Sequence, residues 1–172
     1  MPRTPNMHGG GALTNANGLH FEQTTSLNDI LLQHGFDVSS NGEVLYNGSL
    51  IGYSKAKKDF NRFLVDNGVD LNVNSNRLEP DDTFINIINR TVYILEKKFQ
   101  RVGGSVDEKL QTCPFKKRYY ENLDSQMGYE TCYTYILNEW FTQPKYRDVL
   151  RFILDEGCYY FFNDIPLQFL GL

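Results

Sequence analysis

The chain has 172 residues, of which 41% are hydrophobic and 14% aromatic, and this composition is typical of one folded domain and excludes a disordered protein. Its formal net charge is −4, which argues mildly against a nucleic-acid partner but allows a local basic face. No apolar run approaches the length of a transmembrane helix, and the polar start does not resemble a secretory signal. We therefore expect a cytoplasmic protein without a membrane partner, and its three cysteines are expected to be free thiols in a reducing compartment.

The chain begins with a polar segment, residues 1–17, that contains a run of three glycines. Its composition predicts a flexible arm, and an arm that wraps around DNA is the functional alternative. Residues 18–172 are expected to form a single domain. The first element of that domain is a predicted helix over residues 18–35, with Gly35 at its end.

A hairpin and a basic helix follow. Asn47-Gly48 lies between strand-forming residues 43–46 and 49–53, and this dipeptide is a strong hairpin signal. Residues 54–67 are predicted to form a helix whose basic side chains either are solvated or contact DNA phosphates. Those basic residues are Lys55, Lys57, Lys58 and Arg62.

A second hairpin occupies the middle of the chain. Residues 82–87 and 91–99 are predicted as strands, because both runs are rich in β-branched and aromatic residues. Side chains alternate between the two faces of a strand, so Glu96, Lys98 and Gln100 share one face of the second strand. That face begins apolar and ends polar.

The register of this hairpin decides which aspartate joins Glu96. If the residue numbers of each pair add up to 177, Asp81 lies opposite Glu96, and if they add up to 179, Asp81 lies opposite Lys98. Asp81, Glu96 and Lys98 lie close together in either register. A slip by one residue would turn Asp81 away and bring Asp82 in.

Two carboxylates on opposed residues, at about 4.5–5.5 Å between Cβ atoms, repel each other unless a cation lies between them. Mg²⁺ suits carboxylate and phosphate oxygens. A lysine on the same face could contact a phosphate or position a water, and a metal with a positioned water is an arrangement that cleaves phosphodiesters. The alternative is that Glu96 and Lys98 are only the solvated end of a strand.

The last third of the chain alternates helices and strands. Ser105 and Glu108 match a capping box at the start of a helix predicted over residues 106–123, which Pro114 should kink. Its basic cluster either faces a DNA backbone or is solvated, and consists of Lys116, Lys117 and Arg118. A strand buried on both faces, a helix and a last strand follow, and their predicted ranges are residues 129–138, 147–156 and 158–162. Antiparallel strands followed by a strand–helix–strand unit predict an α/β fold with a mixed sheet and helices on both faces.

The central hairpin carries two short motifs, Pro80-Asp81 just before its first strand and Glu96-Lys97-Lys98 near the end of its second strand. Together they resemble the PD-(D/E)XK nuclease motif. Longer segments are similar to small type II restriction endonucleases of that superfamily, and these are residues 18–25, 96–100, 104–112 and 159–166. The resemblance extends over most of the chain, from about residue 9 to the end.

The resemblance implies a restriction-endonuclease-like core and a Mg²⁺-dependent type II restriction endonuclease, in which Mn²⁺ would substitute for Mg²⁺. Its substrate would be double-stranded DNA with a short palindromic sequence, cut by a homodimer. By the same resemblance Asp81 and Glu96 would bind the metal, and Lys98 would orient the attacking water or stabilise the phosphorane charge. Gln100 and Glu22 would complete the site.

Two other functions are compatible with the sequence. One is a repair or junction-resolving nuclease that uses the same site but recognises DNA structure. The other is a module that binds nucleic acid or a protein without catalysis. Contacts to base edges are not predictable from one chain, and Asn76, Arg77 and Arg101 are candidates only because they lie near the site in sequence.

Overall fold

The structure, a computed structural model, describes residues 10–172, with side chains from residue 16 onward. Its centre is a seven-stranded sheet whose strands lie in chain order. They are β1 (Asp37–Val38), β2 (Glu43–Tyr46), β3 (Ser49–Lys55), β4 (Asp82–Asn86), β5 (Thr91–Lys98), β6 (Glu130–Leu137) and β7 (Tyr159–Phe162). Neighbouring strands from β1 to β5 are antiparallel, whereas β5, β6 and β7 are parallel. The predicted α/β fold with a mixed sheet is confirmed.

Helices cover both faces of the sheet. They are α1 (Gly10–Thr24), α2 (Leu27–Gln33), α3 (Lys58–Asp66), α4 (Val106–Lys109), α5 (Cys113–Asp124) and α6 (Arg147–Asp155). Short 3₁₀ turns connect them at Leu71–Val73, Leu110–Thr112, Ser125–Met127, Glu139–Thr142, Pro144–Tyr146 and Leu167–Leu170. No helix within residues 10–172 has both the length and the hydropathy needed to cross a bilayer.

Strand β5 separates two hydrophobic cores. Val92 and Ile94 belong to the core formed with α3, α5 and α6. Tyr93 and Leu95 belong to the core formed with α1, α2 and the C-terminal segment. This split follows from the alternation of side chains along a strand. A strand buried on both faces holds its backbone rigidly, so the residues at its end are well positioned to form a site.

The first predicted helix is two helices in the structure. α1 begins at Gly10, so residues 10–17 of the predicted arm are helical, while residues 1–9 lie outside the described residues. The backbone of Ser26 has ψ of 125°, which is not helical, and it separates α1 from α2. A residue of β4 holds the start of α2, because the amide of Leu27 donates a hydrogen bond to the Asp82 carboxylate over 3.3 Å.

The helix predicted over residues 106–123 is also divided. Pro114 lies in the first turn of α5, where its missing N–H costs nothing. The predicted helix is therefore interrupted before Pro114, by the 3₁₀ turn Leu110–Thr112, and is not kinked at Pro114. The predicted capping box is wrong, since the Ser105 side chain makes no capping hydrogen bond. Asp107 in the first turn accepts a hydrogen bond from the Tyr146 hydroxyl instead (2.8 Å), which ties α4 to the start of α6.

Candidate active site

The register of the β4–β5 hairpin brings Asp81 next to Glu96. Asp82 pairs with Leu95 and Thr83 with Ile94, so the residue numbers of each pair add up to 177. One position further along, Asp81 lies opposite Glu96, and its Oδ2 accepts a hydrogen bond from the backbone amide of Lys97 over 2.7 Å. The first of the two registers allowed by the sequence is therefore the one present.

Asp82 points to the other face of the sheet. Its Oδ2 lies 2.6 Å from Lys97 Nζ, and the side chain of Lys97 is only 4% exposed. Lys97 Nζ also donates to the backbone oxygen of Glu22 over 3.1 Å. This buried pair joins the hairpin to α1 and α2, so the geometry gives Asp82 an anchoring contact and leaves Asp81 as the aspartate beside Glu96.

The carboxylate of Glu96 is held by two lysines. Its Oε1 accepts hydrogen bonds from Lys98 Nζ at 2.8 Å and from Lys116 Nζ at 2.7 Å. Burial alone would raise the pKa of Glu96, but the two ammonium groups outweigh burial and hold that pKa below its ordinary value. Glu96 is therefore an ionised carboxylate at neutral pH, although it is buried in the protein.

The electrostatics of Asp81 are different. Its burial and the neighbouring charge of Glu96 raise its pKa, against the opposing effects of the Lys97 amide and the Lys98 ammonium group. The charge of Glu22 raises the same pKa further. A cation bound between Asp81 and Glu96 would remove the repulsion between these two carboxylates.

The side chains present fit a hard divalent cation that is completed by other ligands. The described residues contain no group of three or more histidine, cysteine, aspartate or glutamate side chains that could hold a metal. Asp81 uses one carboxylate oxygen for the Lys97 amide and Glu96 uses one for its lysines, and no donor among the described residues contacts the second oxygen of either. Mg²⁺ commonly binds through one or two carboxylates, with waters and substrate phosphates filling the remaining positions.

Gln100 lies beyond the end of β5 and supports the loop that follows. Its backbone amide and carbonyl pair with the side-chain amide of Asn138, at 3.0 and 2.8 Å. Its side-chain nitrogen donates to the Val102 carbonyl over 2.6 Å, and its Oε1 is buried without a partner among the described residues. None of these bonds reaches Asp81, Glu96 or Lys98, so Gln100 adjoins the site without contacting it.

Glu22 lies at the edge of the site. Its side chain is 40% exposed, and its Oε2 is 3.8 Å from Lys57 Nζ, the basic residue that precedes α3. A cavity of about 410 Å³ opens between α1 and the end of β5, and Glu22, Lys98 and Lys109 are among its lining residues. A larger cavity of about 580 Å³ lies at the opposite end of the hairpin, around Asn86 and Ile88, away from the carboxylates.

The structure shows intramolecular contacts for each of the three candidates for base contacts. The guanidinium group of Arg77 donates to the Leu71 carbonyl and the Asn72 side chain, both at 2.7 Å, and so holds its own loop together. The backbone oxygen of Asn76 accepts a hydrogen bond from Tyr119 (3.0 Å), which packs α5 against this loop. The guanidinium group of Arg101 lies 5.5 Å from the centre of the Phe99 ring.

The individual importance of Lys116 is not evident from the sequence. Lys116 belongs to a cluster of three basic residues, in which nothing distinguishes it from Lys117. The distinction is made by the packing of α5, which turns one lysine towards Glu96 and the other towards Glu121 on the same helix. No local sequence pattern carries that information.

The chain was compared with known proteins. No protein-family model matches it, and no curated protein matches it. Among solved structures it is similar to the MunI restriction endonuclease in complex with cognate DNA, at 12% sequence identity over 79% of this chain and 75% of that chain, with a TM-score of 0.37. A likeness at this level does not define what this protein does.

Proposed function

We propose that this protein is a divalent-metal-dependent endonuclease that hydrolyses double-stranded DNA at a short specific sequence. One observation carries the proposal: the register of the β4–β5 hairpin sets Asp81 beside Glu96, and Lys98 contacts Glu96 from the same face. Two carboxylates and a lysine at the end of a buried strand are the residues that the PD-(D/E)XK resemblance assigns to metal binding and catalysis.

Asp81 and Glu96 would hold the metal through their second carboxylate oxygens. Mg²⁺, or Mn²⁺ in its place, polarises a phosphate and lowers the pKa of a bound water. Lys98 would orient the attacking water or stabilise the charge that develops on the phosphorane. Glu22 and Gln100 would support these residues from the edge, through the charge of Glu22 and through the loop that Gln100 holds.

Preorganisation supports a catalytic role for these side chains. Asp81 is fixed by the Lys97 amide, and Glu96 is fixed by two ammonium groups, so neither carboxylate has to be oriented when the substrate arrives. Groups held in place before reaction contribute most to catalysis, because they need no reorganisation in the transition state. A strand end that was merely solvated would leave its charged side chains exposed, whereas Glu96 is buried.

A homodimer is part of the proposal, because two sites related by twofold symmetry would cut both strands of a palindromic sequence. The sequence resemblance is its support. We also propose that the protein acts inside the cell, where its three free thiols would remain reduced.

The proposal is tested by incubating the purified protein with a long, unmethylated DNA duplex, with and without Mg²⁺. The wild-type protein is compared with Glu96→Ala and with a control, Glu121→Ala, which removes an exposed glutamate from α5. We expect discrete fragments that require Mg²⁺, are absent with Glu96→Ala and persist with Glu121→Ala. The ends of the fragments would identify the recognition sequence.

Other outcomes distinguish the alternatives. A continuous smear of fragments that disappears with Glu96→Ala would indicate a nuclease without sequence recognition, and cleavage confined to branched substrates would indicate a junction nuclease. Uncut DNA that is retarded in a gel would contradict catalysis and leave a binding module.

A further inference from the structure

The candidate site contains a cation that the PD-(D/E)XK motif does not include. Lys116 Nζ contacts Glu96 Oε1 at 2.7 Å, although the two residues are 20 positions apart and lie on different elements. Lys98 Nζ contacts the same oxygen at 2.8 Å. Two ammonium groups therefore share one carboxylate oxygen of the proposed metal site.

The fold holds Lys116 at this position. Lys116 and Tyr120 are four residues apart on α5, so they lie on the same side of the helix. Tyr120 is fully buried against the sheet, and its ring lies 6.2 Å from that of Tyr133 on β6. The side of the helix that carries Lys116 thus faces the sheet. The side chain of Lys116 is 24% exposed, so its ammonium group can still reach solvent.

The charges of the two carboxylates and the two lysines at the centre of the site sum to zero while both lysines are in place. Asp81 and Glu96 contribute two negative charges, and Lys98 and Lys116 contribute two positive charges. A divalent cation gains little electrostatic attraction from such a cluster. The cation is attracted more strongly once a DNA phosphate adds negative charge, or once one lysine moves away from Glu96.

We propose that Lys116 is a positioning residue that competes with the divalent cation for Glu96, so that the metal binds weakly until DNA enters the site. This inference rests on the proposed function, since it concerns the same metal site. Lys98 is the catalytic lysine of that site, whereas Lys116 acts through Glu96. The phosphate of bound DNA supplies the negative charge that shifts the competition in favour of the metal.

The test measures Mn²⁺ binding to the DNA-free protein by isothermal titration calorimetry, which does not depend on cleavage. Lys116→Met is compared with Lys116→Arg and with Lys117→Met. Lys117 is a matched control, because it is the next residue on the same helix and its side chain is 25% exposed. We expect Lys116→Met to tighten Mn²⁺ binding by about tenfold, through removal of one positive charge close to the ligand.

The control variants should keep the wild-type affinity for Mn²⁺. Lys116→Arg retains the charge, and Lys117→Met removes a charge that pairs with Glu121 at 3.8 Å. Unchanged or weaker Mn²⁺ binding in Lys116→Met would overturn the inference, and so would equal tightening in Lys117→Met. If either of these results is obtained while the wild-type protein shows Mg²⁺-dependent cleavage, the inference fails and the proposed function stands. If neither wild type nor Lys116→Met binds Mn²⁺ and no cleavage is seen, both the inference and the proposed function fail.

Discussion

The middle lysine of the Glu96-Lys97-Lys98 motif should be required for folding, and the last lysine for activity. Lys97 Nζ lies 2.6 Å from Asp82 Oδ2, and the two side chains are 4% and 16% exposed. Lys97→Met would leave the half-buried Asp82 with one remaining hydrogen bond, from the Leu27 amide over 3.3 Å. Removing one partner of a buried ion pair costs about 3–5 kcal/mol, because the other charge remains without compensation.

That loss is a large fraction of the stability of a domain, which is typically about 5–15 kcal/mol. For a chain of this size it corresponds to a fall in melting temperature of roughly 6–20 °C, at about 2–4 °C per kcal/mol. Urea unfolding followed by circular dichroism would measure the free energy of unfolding. The double variant Asp82→Asn with Lys97→Met should recover part of the loss, since it removes the uncompensated charge.

Lys98→Met is the matched comparison. Glu96 keeps its hydrogen bond to Lys116 in this variant, so its stability should fall by much less than that of Lys97→Met. Its Mg²⁺-dependent cleavage should be lost. If Lys97→Met unfolds within about 1 kcal/mol of the wild-type protein, the pair is worth no more than an exposed ion pair and the anchoring role is refuted.

Two further predictions concern pH and metal. Burial raises the pKa of Asp124 to about 8, against an unfolded value near 3.8, so the native state binds more protons between these values and its stability should fall as the pH rises from about 4 to 8. Asp124→Asn should reduce the slope of unfolding free energy against pH by up to about 1.4 kcal/mol per unit in that range, and an unchanged slope would contradict the assignment. Chelation of divalent ions should abolish cleavage but leave the melting temperature within about 2 °C of its original value, because Lys98 and Lys116 already neutralise the carboxylates. A larger fall in melting temperature on chelation would show that the metal contributes to the fold.

The sequence predicted the hairpin but left two registers open, and the reason lies in its turn. Asn89-Arg90 is polar without the Asn-Gly pattern that would specify a two-residue turn. In the structure the Asn86 side chain accepts hydrogen bonds from the amides of Ile88 and Asn89, at 2.8 and 3.1 Å, and Arg90 takes a positive φ of 55°. The turn is therefore closed by a side chain of the preceding strand.

Contacts between distant elements could not be predicted, because they depend on tertiary packing and no local sequence pattern encodes them. The alternation along β5 correctly placed Lys97 on the face opposite Glu96, but nothing in the sequence identified Asp82 as its partner. The contact between Lys116 and Glu96 depends on how α5 packs against the sheet through its buried aromatic residues. Arg77 shows the same limit, because the sequence did not reveal that its guanidinium group bonds its own loop.

The alternation of the hairpin links the proposed chemistry to stability. Asp81 and Glu96 face α5 and its lysine, whereas Asp82 and Lys97, their immediate neighbours, face α1 and α2. A slip of β4 by one residue would exchange the two aspartates, because Asp82 would then lie opposite Glu96 and Asp81 opposite Lys97. The slip would also remove the hydrogen bond from the Leu27 amide to Asp82, which holds the start of α2. The contacts of Asp82 on one face therefore favour the register that places Asp81 beside Glu96 on the other.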